Sequence, residues 1–326
     1  MTKKKTSQYK GLPGASRLNW KQQILQWCYV IKLRNFVLKS DPTNTDNQLS
    51  PADFNIQYEH LVPLRGKRKH RMKPSNLILK YNHDTNVVNS LGMFPGTADR
   101  IVDINADVGL KALNLVTPSN VESPLEPRHP ERILNHIHQI FENDPRLIKH
   151  FLNWMCHVVF RPGVRIRHGI LISGVSKNGK STLGVLLSKL INPANAVIVD
   201  ISEVKGNFQD WQIGKRLAVV NEVKAQRNHG FYNHIKSFFT EDRLYLNIKH
   251  SHAEVDNHLH FMMFANDEFP MEIEDGNRRI FYHHTTLKNP TDPARVGALA
   301  TSEYYFKKLY EDIGAEWHAI GPGIPD

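Results

Sequence analysis

Short apolar runs alternate with helical patterns through the second half of the chain. His168-Gly-Ile-Leu-Ile-Ser-Gly174, Ala196-Val-Ile-Val199, Leu217-Ala-Val-Val220 and His258–Ala265 read as buried strands, too short and too uniformly apolar for surface helices. Thr182–Leu190 and Tyr232–Phe239 read as helices between them, and Arg243–Lys249 alternates as a further strand. Upstream, Pro130-Glu131-Arg132 opens a helix with proline in its first turn, and Ile133, Ile137, Ile140 and Phe141 recur at helical spacing. Leu147–Phe160 carries Phe151, Leu152, Trp154 and Met155 and reads as the next helix. Strands alternating with helices predict an α/β fold around a parallel sheet.

The first half is less regular. Asn19–Lys32 is rich in apolar residues and reads as a helix, Asp41–Gln48 as a polar loop, and 76–81 and 86–88 as short strands. Pro118, Pro124, Pro127 and Pro130 place the main boundary. The resulting scheme is a flexible tail over 1–16, a smaller basic accessory domain over 17–125, a core over 126–290 and a C-terminal segment over 291–326, helical within 298–317.

Composition narrows the classes. The chain has 326 residues with 40% hydrophobic positions, enough to build a sizeable core. Its longest apolar runs, 217–220 and 261–265, are far below the ~18 residues of a spanning helix, so no membrane partner is expected. No apolar segment follows the lysines at the start, so no secretory signal is expected, and Cys28 and Cys156 form no disulfide framework. A cytoplasmic setting, the host's for a viral or phage protein, follows as the expectation.

The charge is uneven. The net charge is +10, yet residues 1–120 hold 18 Lys and Arg against 8 Asp and Glu, while the remainder is balanced. Such asymmetry points to a polyanion, nucleic acid above all. The densest run surrounds Lys67, Arg68 and Lys69 within Arg65–Lys73. A solvated loop is the competing reading of that run.

Gly174-Val-Ser176-Lys177-Asn178-Gly179-Lys180-Ser181 matches the phosphate-binding pattern G-x-x-x-x-G-K-[ST], with an apolar strand before it and a helix after it. The glycines let backbone N–H groups turn inward at phosphate oxygens, and the helix N-terminus adds a positive dipole end. Lys180 reaches the β and γ phosphates, Ser181 can ligate Mg²⁺, and Thr182 supports it. ATP with Mg²⁺ is the expected ligand pair.

An ATPase also needs a carboxylate that activates water. Glu222 ends the strand Leu217–Val220 about forty residues on and is assigned as the base. The residue before it is Asn221, uncharged, which would reach the Mg²⁺ shell weakly through water. Asn266 closes the strand ending at Ala265 and could hold the attacking water. Arg278 and Arg279 follow a turn and suit γ-phosphate charge. A surface ion pair is the plainer reading of the two arginines. His250, His252, His258 and His260 have no Cys or acidic pattern to complete a zinc site, so they read as surface or DNA-facing.

These motifs, in this order and within about 105 residues, resemble a superfamily 3 helicase domain of the phage, plasmid and large-DNA-virus primase-helicases, the poxvirus type included. Phe151-Leu-Asn-Trp154, Phe208-Gln-Asp-Trp211, Lys236–Glu241 with Leu246–Lys249, and Gly276-Asn-Arg-Arg-Ile-Phe281 resemble the family's flanking motifs; Leu49–Asn55 resembles a segment ahead of its core. The resemblance covers about residues 130–285. It implies an AAA+-like P-loop NTPase core, a hexameric homo-oligomer with an arginine supplied by the neighbour, and 3′-to-5′ travel on single-stranded DNA, hence an ATP hydrolase in replication of a virus, phage or mobile element. It also implies a DNA-contacting hairpin, here the turn between strands 243–249 and 258–265 with Lys249, His250 and His252; a solvated turn is the alternative. No D-x-D-type metal pair stands out in 1–120, so a primase or polymerase would be a partner on another chain or portion. Three other readings stay open: an ATPase that loads or remodels a protein, a DNA-binding module with decayed ATPase, and, with no arginine-dense lid to support it, a small-molecule kinase.

Overall fold

A computed structural model describes residues 19–64, 71–117, 131–206, 210–223, 229–248, 251–271, 276–288, 290 and 302–313. The chain divides into two compact units, residues 1–92 with 99–114, and residues 93–98 with 115–326.

In the first unit, α1 (Trp20–Ile24) stops after five residues, and the chain turns into β1 (Trp27–Val30). The helix expected over Asn19–Lys32 is therefore a short helix and a strand. Asn19 and Gln22 form a reciprocal capping box at its start, while Trp27, Tyr29 and Val30 are residues a pleated strand accommodates. β1 pairs antiparallel with β2 (Asn35–Leu38), which pairs with β3 (Gln48–Leu49). Next come α2 (Pro51–Tyr58), α3 (Pro74–Leu79) and α4 (His83–Asn86). Residues 76–81, read as a strand, thus belong mostly to a helix; Pro74 opens it, and its Leu77 and Ile78 are buried. β4 (Val87–Val88) joins β1 in parallel, and β5 (Ser90–Gly92), β6 (Ile101–Asn105) and β7 (Leu110–Asn114) form a second sheet. Phe54 anchors the core, stacked on Phe36 at 4.1 Å and edge-on to Trp27.

The second unit holds α5 (Glu131–Ile140), α6 (Pro145–Phe160), β8 (Gly169–Ser173), α7 (Thr182–Leu190), β9 (Ala196–Val199), α8 (Ile201–Lys205), β10 (Leu217–Val220) and α9 (His229–Thr240). After these come β11 (Arg243–Ile248), β12 (Ser251–Asp256), β13 (His260–Ala265), β14 (Ile280–His284) and α10 (Ser302–Ile313). Five strands form a fully parallel sheet in the order β14-β8-β13-β10-β9. Ile170, Ile172, Val219, Met262 and Phe264 join the core with Ile137, Phe151, Trp154 and Leu187. Phe261 meets Phe238, Phe239 and Trp211. Burial on two faces explains why the central strands β8, β10 and β13 are apolar without alternation.

The hairpin differs from the sequence reading. β11 pairs with β12 up to Ile248↔Ser251, so a separate two-stranded ribbon stands between α9 and β13. The strand expected from His258 begins at His260, and the partner of β11 is a segment the apolar pattern did not flag. Among the described residues no helix is long and apolar enough to cross a membrane.

Candidate functional site

The strand order creates a crevice. After β8 the chain runs to β9 at one edge of the sheet, and after β13 it passes β8 to β14 at the other. The loops leaving the carboxyl ends of these adjacent strands therefore diverge, the place where open α/β sheets bind ligands. The glycine loop leaves β8 there, and Asn266 leaves β13 beside it.

Lys180 ties the two together. Its side chain is buried, and its Nζ donates to Asn266 Oδ1 at 2.8 Å and to the Val175 carbonyl at 3.0 Å. Asn178 is also buried; its Nδ2 donates to the Leu287 carbonyl at 3.2 Å, and its Oδ1 accepts from Lys180 N–H at 3.2 Å. Ser176 and Lys177 are exposed on the loop, Lys177 in the left-handed region at φ 66°. Gly174 and Gly179 have φ of 151° and 85°. A Cβ on Gly174 would lie 2.7 Å from Thr285, and one on Gly179 2.6 Å from ring carbons of His136 and Phe306, so both positions require glycine. Ser181 starts α7 without spending its hydroxyl on a cap bond, and Thr182 is buried behind it.

β10 supplies the carboxylate edge. Glu222 follows it at φ 52°, an uncommon conformation for a residue with a side chain, of the kind that clusters at functional sites. Asn221 Oδ1 is buried, and no hydrogen-bond partner for it is found among the described residues. A buried acceptor of this kind costs about 1–3 kcal/mol unless water or a ligand satisfies it.

Arg278 and Arg279 are elsewhere. They precede β14, whose first residue Ile280 lies beside Gly169 at the start of β8. The glycine loop begins at the other end of that strand, so five residues at ~3.3 Å each separate the arginines from it by about 16 Å. Asn277 and Arg279 are held by the Tyr232 hydroxyl, at 2.8 and 3.4 Å, and Arg278 is exposed.

The other expected contacts divide. Lys67, Arg68, Lys69, Lys249 and His250 lie outside the described residues, as does the His252 side chain. His260, read as surface or DNA-facing, is instead buried: Nδ1–H donates to the Arg216 carbonyl at 3.1 Å, Nε2 accepts from Ile166 N–H at 3.3 Å, and the ring meets Trp154 edge-on. Burial holds its pKa down to about 3. The sheet core needs a filled position there, and a neutral imidazole satisfies two backbone groups at once.

The sequence reading missed a set of residues around the loop. His136 Nε2 lies 2.9 Å from the Gly179 carbonyl. Ser173 Oγ, beneath the loop, lies 2.9 Å from the Tyr282 hydroxyl and 2.8 Å from His284 Nδ1; Tyr282 in turn donates to the Glu268 carbonyl, in the loop after Asn266. The one sequence signal for His136 is its place three residues after Ile133, on the apolar face of α5.

Comparison with known proteins gives the following. Residues 171–279 match a family described as a family of unknown function, DUF5906. The chain is 25% identical over 176 residues to a DNA primase-polymerase of Nitratiruptor phage NrS-1, spanning 52% of this chain but only 24% of that protein. An apo structure of the NrS-1 C-terminal region, in its A form, superposes with a TM-score of 0.67 at 19% identity, covering 91% of this chain and 67% of that one. A second apo structure of the same region gives 0.67 at 18%, covering 90% and 67%. The chain is thus homologous to part of a phage primase-polymerase and shares the fold of its C-terminal region.

Proposed function

We propose that this chain is the ATP-driven motor portion of a phage or mobile-element replication protein, an AAA+-like P-loop ATPase that moves along single-stranded DNA as a superfamily 3 helicase does. The observation that carries the reading is the 2.8 Å bond between Lys180 and Asn266. It joins two motifs 86 residues apart in sequence at the crevice where a nucleotide belongs. The named activity of the phage relative, DNA primase-polymerase, supports a role in replication.

In this reading loop N–H groups and Lys180 bind the phosphates, Asn266 orients the ammonium and the attacking water, and the Glu222 carboxylate accepts the water's proton. The donor set fits Mg²⁺: Ser181 would hold it and Asn221 Oδ1 would accept from a water in its shell. When bound it neutralises phosphate charge. The 16 Å gap leaves Arg278 or Arg279 to act on a neighbouring copy, which favours a ring, hexameric by resemblance. DNA contact is assigned to Lys249, His250 and His252 and to the basic stretch around Lys67, Arg68 and Lys69.

The test is ATP hydrolysis with and without single-stranded DNA, for wild type and Lys180→Ala. DNA-stimulated turnover that disappears in the variant is the expected result. Turnover indifferent to DNA would favour a protein remodeller. Asn221, in place of an acid, favours a second reading, a DNA-binding module without hydrolysis; DNA binding with no turnover would support it.

A further inference from the structure

The Gly179–Lys180 peptide is held from behind the loop. The Gly179 carbonyl accepts from Thr182 N–H at 3.1 Å and from the His136 side chain at 2.9 Å. A carbonyl only accepts, so His136 Nε2 carries the proton. His136 Nδ1 is the buried lone-pair nitrogen, with no partner found among the described residues. Burial pushes the imidazole pKa down to about 4, so it is neutral at physiological pH. In a planar trans peptide the N–H points opposite to the C=O. Drawing the Gly179 carbonyl toward His136 therefore turns Lys180 N–H the other way, where it donates to Asn178 Oδ1 at 3.2 Å.

The imidazole is itself seated by α10. Its ring lies 5.7 Å from that of Tyr305 and 6.2 Å, edge-on, from that of Phe306. Arg132 at the start of α5 pairs with Asp312 near the end of α10, and Leu309 is buried. Phe306 also closes the space that a side chain at position 179 would need.

We propose that His136 is a positioning residue for phosphate binding, fixing the plane of the Gly179–Lys180 peptide and so the course of the loop into Lys180, and that α10 seats it through Phe306. This rests on the reading of the loop as an ATP site, and the experiment separates the two. Binding of a fluorescent ATP analogue is measured with Mg²⁺ for wild type, Lys180→Ala, His136→Leu, His136→Gln and Phe306→Leu, each checked for a cooperative thermal melt. Losing one hydrogen bond to a loop that must be preorganised predicts about tenfold weaker binding for His136→Leu. Gln presents an amide N–H where imidazole Nε2 stood and should bind within about twofold of wild type. Phe306→Leu, at a half-buried position, should bind about threefold more weakly. His136→Leu equal to wild type, or Leu and Gln equally impaired, would overturn the positioning role; if His136→Leu does not fold, unchanged binding by Phe306→Leu overturns it instead. Wild type that fails to bind the analogue would sink the ATP reading, and the proposal with it.

Discussion

Acidification from pH 7.5 to 5.0 should destabilise the second unit well before its carboxylates protonate. His136 and His260 are both fully buried in the neutral form. His260 uses one ring nitrogen as donor and the other as acceptor, so a second proton would oppose Ile166 N–H with another N–H. His136 would carry its new proton on the buried Nδ1, for which no acceptor is found among the described residues. In the unfolded chain both take up protons near pH 6.5, whereas in the fold they do so near 4 and 3. The unfolded state therefore binds more protons as pH falls below 6.5, and stability is lost across that window. Integrated to pH 5.0, each histidine contributes a loss of about 2 kcal/mol, about 4 together, against a typical total of 5–15 kcal/mol. His168 and His258, lowered by burial as well, act in the same direction. Urea unfolding followed by tryptophan fluorescence at the two pH values measures the difference. Histidine ring proton shifts identify the sites, with two imidazoles still neutral at pH 5.0. An unfolding free energy unchanged within about 1 kcal/mol, or all imidazoles titrating near 6.5, would refute the reasoning.

Glu222→Gln should bind ATP as wild type does and lose hydrolysis by about 10²–10⁴-fold, the usual worth of a general base; comparable turnover would remove Glu222 from that role. Asn266→Ala removes a charge-assisted hydrogen bond to Lys180, so hydrolysis should fall at least tenfold, with no loss of DNA affinity in fluorescence anisotropy. Gly179→Ala forces a Cβ onto the His136 and Phe306 rings at positive φ and should cost about 1–3 kcal/mol in a thermal melt and abolish ATP binding. Deleting residues 1–120 should weaken DNA affinity and flatten its dependence on salt; an unchanged slope would move the DNA contact away from that region.

How much of this was legible in the sequence follows from where the information lies. The glycine loop, Glu222 and Asn266 could be read directly, because each depends on local chemistry at a strand end. Four of the five core strands were legible, because burial on both faces leaves continuous apolar runs in β8, β10 and β13 and β9 is a short apolar run, whereas β14, Ile-Phe-Tyr-His-His, has no such run and was not read as a strand. Trp27–Val30 and Pro74–Leu79 were misread: four to six residues carry too little periodicity to separate helix from strand, and pairing with Asn35–Leu38 decided the first. The basic accessory region was legible as charge, yet half of its 18 basic residues lie in 1–18 and 65–70, outside the described residues.

By itself, then, the sequence determined the parallel sheet and the residue types gathered at its strand ends. Tertiary structure decided which of them meet. Lys180 reaches Asn266 because β8 and β13 are neighbours, while Arg278 and Arg279, closer in sequence to Asn266 than Lys180 is, lie at the opposite end of the strands because β14 runs parallel to β8. Only packing could reveal that His136, an unremarked polar residue on an apolar helix face, touches the loop. Strand order and helix docking set distances between residues far apart in sequence, and these follow from how the whole chain shares its buried surface.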